Sequence, residues 1–244
     1  FVGSGAVFFN TRFDNYLLND INHDLIDFYR CLQTDGKAFI EYAREFFQPE
    51  NNTEQTYYHL RDTFNNTTDT YQKAALFLYL NRYGYNGLCR YNSKGRSNVP
   101  FGRYKKPYFP EKELELFIEK SRHALFSSED FSTVMLQAQA GDIIYCDPPY
   151  VPLSTTANFT SYSGNGFSET EQTHLAEIAE EVSDKGITVL ISNHYTPFTQ
   201  KIYRKARKHR FEVRRMISCN GKRRVLAKEI LAVYSGKETT DFRK

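Results

Sequence analysis

Asp147-Pro148-Pro149-Tyr150 directly follows the apolar run Ile143-Ile144-Tyr145-Cys146. Two successive prolines limit what such a run can become. Proline fixes φ and removes a backbone donor, and the residue before a proline is pushed out of the helical region. The run must therefore be a strand that stops at Asp147. A stiff turn follows that cannot fray into a helix. It holds a carboxylate, a backbone carbonyl and an aromatic ring in fixed places, which suits the grip of a planar group bearing an amine. The plainer alternative is a proline turn that only ends a strand.

Around this turn the pattern alternates between strands and helices. Residues 1–5 read as a glycine turn feeding a short helix over residues 6–9, and Tyr16 to Asp20 as a short strand ending on a carboxylate. Asn22 or Asp24 starts the next helix. From Asp35 to Lys120 the chain is mostly helical, broken by a polar patch at residues 65–69, with an apolar helical stretch from Ala74 to Leu80. Residues 82–110 lose periodicity, and six of the breakers are Gly84, Gly87, Gly95, Gly102, Pro100 and Pro107. Loops of that length are usually functional or disordered, and the aromatic content argues against disorder. A long loop or irregular hairpin results.

Beyond Pro110, Leu125 to Ser127 reads as a short strand and Ile143 to Cys146 as the central one. Ser168 and Glu171 form a capping box opening a helix to Ser183. Ile187 to Ser192 is a buried-type strand. Pro197 starts a basic helix to Lys208, and Phe211 to Ser218 pairs with Ile230 to Ser235 around Gly221. The fold class is α/β, a mostly parallel sheet with a C-terminal antiparallel strand and a mainly helical insertion. The expected domains are 1–34 with 121–244, and 35–120, the latter carrying the hairpin loop 82–110.

Gly3, Gly5 and Asp20 form a second cluster. A glycine turn lets a ligand approach the backbone, and a carboxylate closing the next strand can accept from a ribose diol. The third glycine of a dinucleotide fingerprint would lie at Phe8 and is absent. A nucleoside cofactor is favoured over one with a pyrophosphate. An ordinary turn and capping aspartate remain the alternative. In an open α/β sheet both clusters belong at the C-terminal strand edge.

The chemistry follows from what accompanies Asp147. No His or second acid accompanies it at this strand end, since Asp142 is at the other end of the short strand, and that argues against two-metal hydrolysis. Transfer of an electrophilic group to a weak aromatic amine fits better. Acceptors on both N–H groups return electron density to the nitrogen and fix its geometry, and Tyr150 can stack on the ring. The four cysteines have no zinc or disulfide spacing and fit a reducing, cytoplasmic setting. No run reaches membrane-spanning length. The net charge is only +3, but residues 82–106 hold seven Lys or Arg and no acid, and residues 201–228 hold twelve against Glu212. Basic runs attract polyanions. A solvated charged face is the alternative, stronger for the second run.

The glycine motif, then the insertion, then Asp147-Pro148-Pro149-Tyr150 resembles the alpha group of DNA adenine-N6 methyltransferases. Residues 80–92, 98–106 and 157–162 closely resemble the Dam-type enzymes that methylate GATC, and the resemblance covers essentially the whole chain. It implies a Rossmann-like class I methyltransferase sheet. It also implies S-adenosyl-L-methionine as donor, S-adenosyl-L-homocysteine as product, and double-stranded DNA as partner, bound by a functional monomer without metal. By resemblance, Phe1, Gly3, Gly5, Asp20 and Asp147 hold the cofactor, with Asp20 on the ribose. Asp147 and the Pro148 carbonyl bind the target N6, and Tyr150 stacks on a flipped adenine.

The resemblance assigns the hairpin as well. Arg90 reads guanine, and Leu88 and Pro100 meet thymine methyls. Tyr85 intercalates near the flipped base, Asn86 lies beside the vacated space, and Tyr104 belongs with the base-recognition group. Arg61, Asn92, Arg103 and Lys105 contact phosphates. Elementary chemistry agrees: Arg bridges guanine O6 and N7, and apolar side chains meet thymine methyls. Tyr83 and Tyr91 either pack the loop or touch DNA, and Arg82 is equally a salt-bridge residue. Family members carry an upstream segment with a Trp and a Lys, and a first strand. The chain opens at Phe1 without Met, so we expect the natural N-terminus upstream and a weaker cofactor pocket from residues 1–244 alone. An RNA or protein N-methyltransferase and a catalytically silent DNA-binding module are the alternatives.

Overall fold

The computed structural model describes residues 1–153, 167–214 and 226–235. They form two compact units: Val2–Glu129, and Phe1 with the described residues from Asp130 onward.

In the first unit, α1 (Ala6–Asn10) follows the glycine turn and leads to β1 (Tyr16–Asn19). α2 (His23–Asp35) starts at Asn22, whose side chain accepts from the Leu25 N–H. Next come α3 (Lys37–Arg44), α4 (Glu54–Asn66) and α5 (Thr70–Tyr83). The polar patch breaks the helices as expected, because Asp69 caps α5 by accepting from the Tyr71 and Gln72 N–H groups. α6 (Glu111–Lys120) then returns the chain to β2 (Ala124–Ser127), which pairs in parallel with β1. Phe8, Leu18 and Ile26 share one core with Phe39, Ala75 and Leu114 of the expected insertion.

A second core in this unit is aromatic: Tyr57, Phe64, Tyr79 and Tyr83 lie among Leu76 and Leu80. Buried tyrosines here serve packing and anchoring together, since a buried hydroxyl seeks a partner. Tyr29 Oη donates to the Gly3 carbonyl at 2.6 Å, and Tyr57 Oη to the Val99 carbonyl at 3.0 Å. The glycine turn and the segment at Val99 are thus each tied to a helix by a core side chain.

Residues 84–110 form the irregular hairpin, entered two residues later than expected because α5 continues through Tyr83. Two antiparallel bridges close it, Gly84 with Phe101 and Tyr91 with Ser97. Gly84 is required by close approach: a Cβ there would lie 2.5 Å from the Leu80 carbonyl oxygen and 2.9 Å from the Tyr57 hydroxyl. Both neighbours are held, one in helix backbone and one in the buried core. Gly84→Ala is expected to destabilise by about 1–3 kcal/mol, the usual range for overpacking. Thermal unfolding checks this, with a drop in Tm of about 3 °C or more.

In the second unit, α7 (Phe131–Leu136) precedes β3 (Ile143–Cys146), and α8 (Glu169–Ser183) opens with the expected capping box. β4 (Thr188–His194), α9 (Pro197–Ile202), β5 (Arg207–Arg214) and β6 (Leu226–Tyr234) complete it. The strand order is β3-β4-β6-β5. Leu175, Ile178, Ala179 and Val182 of α8 pack against Val189, Ile191, Ile230 and Ala232 of the sheet.

Two expectations change here and one holds. β3, expected at the centre, stands at one end of this order, with Ile143 and Tyr145 exposed. The strand directions are as expected: in this sheet β3, β4 and β5 run the same way, and the C-terminal strand β6 alone is antiparallel to its neighbours β4 and β5. The basic helix stops at Ile202, because residues 207–214 pair with residues 226–233 of β6 instead. β5 ends the sheet, and Arg207, Lys208 and Arg210 face solvent there. Charged residues blunt an open strand edge, so this part of the second basic run is a solvated face. The expected turn at Gly221 and residues 157–162 lie outside the described residues. Among the described residues no helix is long and apolar enough to cross a membrane.

Candidate active site and nucleic-acid interface

The structure builds the glycine turn and Asp20 as one object. Gly3 and Gly5 have φ of 48° and 73°, a region that glycine enters without steric cost. The Gly3 N–H donates to Asp20 Oδ2 and the Asn22 N–H to Asp20 Oδ1, each at 3.0 Å. Each carboxylate oxygen keeps a further lone pair, so the group is fixed in direction and can still accept from a diol. A Cβ at Gly3 would meet nothing within 4 Å, so the space over the turn is open. Phe1 lies in the other unit, its ring 5.7 Å from Phe131 and 5.4 Å from Phe167.

In the second unit β3 and β4 run in parallel, so their C-terminal ends share an edge. The polar end of β4 therefore meets the proline turn. Ser192 Oγ donates to Asp147 Oδ1 at 2.6 Å and accepts from Tyr145 Oη at 3.1 Å. Asn193 Oδ1 accepts from the Val151 N–H at 3.0 Å, and Gln172 Nε2 donates to the Pro149 carbonyl at 2.7 Å. His194 Nδ1 lies 2.6 Å from the Val151 carbonyl oxygen. A carbonyl only accepts, so Nδ1 carries the hydrogen. The His194 ring meets Tyr150 edge-on at 4.9 Å.

The turn is thus gripped at Asp147, Pro149, Tyr150 and Val151. Among the described residues no hydrogen bond occupies Asp147 Oδ2 or the Pro148 carbonyl oxygen. Asp147 is exposed and Tyr150 half-buried. Burial raises the Tyr150 phenol above its ordinary range, so it presents a neutral ring. Cys146 is buried, and desolvation pushes its thiol up to about 12. It stays protonated at neutral pH and is a poor nucleophile.

Ser192, Asn193, His194 and Gln172 were missed by sequence reasoning. A signal existed for three of them. The strand Ile187 to Ile191 ends on Ser192-Asn193-His194, a polar run at the edge where ligands bind. Gln172 gave none, since it is one polar residue on an amphipathic helix.

The hairpin brings its expected residues together. Tyr85 and Tyr104 are 47% and 40% exposed. The Asn86 N–H donates to Tyr104 Oη at 2.8 Å, and the Tyr85 N–H to the Pro100 carbonyl at 2.8 Å. Asn86 is left-handed at φ 53°, which turns Tyr85 outward beside exposed Pro100. Leu88 is half-buried, lining a pocket of about 20 Å³ with Phe64, Leu80 and Val99.

Arg90 is held rather than free. Its Nε donates to Asn98 Oδ1 at 2.7 Å and its Nη2 to the Asn98 carbonyl at 2.9 Å. Two of five N–H donors are used, and the Nη1–Nη2 end of the fork remains. Asn98 thus fixes the direction of the Arg90 guanidinium, and sequence reasoning left it without a role.

The expected phosphate group is less uniform. Lys105 is exposed with no ion pair among the described residues. Arg61 Nη1 donates to the Val99 carbonyl at 2.8 Å, with its guanidinium 4.7 Å from the Tyr58 ring centre. Asn92 Oδ1 accepts from the Lys94 and Arg96 N–H groups, so Asn92 also builds the hairpin tip. Arg103 pairs with Glu54 at 3.1 Å, both exposed. Such a pair is worth little and can be exchanged for a phosphate.

A family model described as D12 class N6 adenine-specific DNA methyltransferase matches residues 1–217. The chain is 52% identical to a DNA adenine methylase of Salmonella typhi over all of its length and 88% of that protein. It is 53% identical to one of Escherichia coli K12, over 96% of this chain and 84% of the other. A Vibrio cholerae DNA adenine methylase is 52% identical over 96% of this chain and 85% of its own.

Proposed function

This chain belongs to the D12 class of N6 adenine-specific DNA methyltransferases, and we propose that it transfers a methyl group from S-adenosyl-L-methionine to N6 of adenine in duplex GATC after flipping the base. The carrying observation is the Asp147–Tyr150 turn. One carboxylate oxygen of exposed Asp147 is anchored by Ser192, while Oδ2 and the carbonyl of buried Pro148 accept no hydrogen bond among the described residues and lie next to the Tyr150 ring. An adenine amine has two N–H groups to give. Accepting both keeps the nitrogen lone pair out of the ring and aims it, and the environment is set before the reaction. Tyr150 stacks on the base.

Gly3, Gly5 and Asp20 fit the donor's nucleoside: the turn is open, and the Asp20 carboxylate is fixed with acceptor capacity left. When bound, the donor supplies a sulfonium methyl and leaves as S-adenosyl-L-homocysteine. The amine proton passes to Asp147 or to solvent. Cys146 takes no part. In this reading Rossmann-like residues 1–34 with 121–244 act on the base, and residues 35–120 recognise DNA.

Arg90 reads guanine O6 and N7 with the free end of its fork, and Leu88 and Pro100 meet thymine methyls. Tyr85, with Asn86 and Tyr104, offsets the unstacking that flipping costs. Arg61, Asn92, Arg103 and Lys105 contact phosphates. Tritiated-methyl transfer to duplexes with each GATC position varied tests donor, acceptor and specificity together. Equal activity on single-stranded RNA would sink the duplex reading.

Ser192→Ala should lower kcat about tenfold with little change in KM for DNA. It removes one hydrogen bond to a charged group, worth about 1.5–3 kcal/mol in general, but water replaces part of it at exposed Asp147. Steady-state kinetics on a GATC duplex check the split.

A further inference from the structure

We propose that Tyr91 is a positioning residue for Arg90, setting discrimination at that base pair through a hydroxyl directed into the protein. The inference rests on the guanine-reading role of Arg90. The two neighbours of Arg90 are both tied to the start of α2. Tyr91 Oη donates to Asp24 Oδ2 at 2.7 Å, with Asn22 Oδ1 at 3.5 Å. Asn22 Nδ2 donates to Cys89 Sγ at 3.2 Å.

Asp24 is itself fixed. Its other oxygen meets Lys73 Nζ of α5 at 2.8 Å, and its side chain is only 14% exposed. Burial holds the Tyr91 phenol far above its ordinary range, so the hydroxyl remains a donor.

Successive side chains of an extended segment point to opposite sides. The segment is extended at Tyr91, which bridges Ser97, and the Arg90 carbonyl accepts from the Asn98 N–H at 3.2 Å. Tying the side chains of residues 89 and 91 to the start of α2, with Cys89 itself still exposed, fixes the backbone from which residue 90 projects. Asn98 then grips the Nε edge of the guanidinium and leaves the far end to read a base. Asn22 also donates its N–H to Asp20, so its substitution would disturb two sites. Tyr91→Phe removes the hydroxyl alone and leaves Asp24 with Lys73.

The test compares kcat/KM on a GATC duplex with that on a duplex whose Arg90-read guanine pair is replaced. Wild type should prefer the guanine duplex, and Tyr91→Phe should reduce that preference about five- to tenfold, because misaiming weakens a bidentate contact. In an Arg90→Ala background the same change should leave the ratio unmoved, since coupled residues are not additive. Asp24→Asn weakens the acceptor while keeping its shape, and should shift the ratio in the same direction if Tyr91→Phe does not fold. Equal losses on both duplexes, or an additive double variant, would overturn the proposal as a merely structural role. A wild type indifferent to that guanine would overturn the Arg90 assignment, and the proposal with it.

Discussion

Asp147→Ala is expected to lower kcat for methyl transfer by about 10²–10³-fold, the usual cost of removing one preorganised electrostatic group at a reacting centre. Duplex binding should stay near wild type. Asp147 stands at the end of β3, in a different unit from the hairpin that carries the expected DNA contacts. The loss should fall on the chemical step because the carboxylate acts on the amine as it becomes a nucleophile. The fold should survive: Asp147 is exposed, and Ser192 retains Tyr145 and the Cys146 carbonyl as partners. Single-turnover methyl transfer beside equilibrium DNA binding separates the two effects. A matching loss of binding, with normal turnover of the bound complex, would refute the assignment.

Arg90→Ala should cost about 1–3 kcal/mol of discrimination at one guanine, or about 5–150-fold in relative kcat/KM, and leave the other positions unchanged. The reason is the bidentate fork. Arg90→Lys should fare little better. Arg90 spends two donors on Asn98 and keeps a planar end for the base, whereas an ammonium is a point charge without that fork. Phosphate variants should behave differently. Lys105→Ala should weaken binding to all duplexes and lower the salt slope by about one. Binding titrations at several salt concentrations distinguish the two classes.

Much of this site could be read from residue order. Asp147-Pro148-Pro149-Tyr150 dictates a strand end and stiff acceptors because proline acts locally. Ser168 with Glu171 marks a helix start for the same reason, and the sequence narrowed the start of α2 to Asn22 or Asp24, of which Asn22 is the cap: a cap is made by neighbours in sequence. The errors lie where partners are distant. Residues 197–208 read as one basic helix, yet Arg207 onward pairs with β6, and pairing overrides local preference. β3 read as central because its run is apolar, but its place depends on which strands pair with it.

Sequence alone determined which atoms are offered: a carboxylate and carbonyl at Asp147–Pro148, a ring at Tyr150, a carboxylate at Asp20, and a guanidinium at Arg90. Stiff local geometry and side-chain chemistry suffice for that. Only the tertiary structure decided which of those atoms are held and which remain open. Ser192 anchors one oxygen of Asp147, Asn98 takes one edge of Arg90, and backbone N–H groups at Gly3 and Asn22 fix Asp20. Ser192 and Gly3 lie 45 and 17 residues from the groups they hold. A hydrogen bond forms only within about 3 Å, and it is the fold that closes that gap.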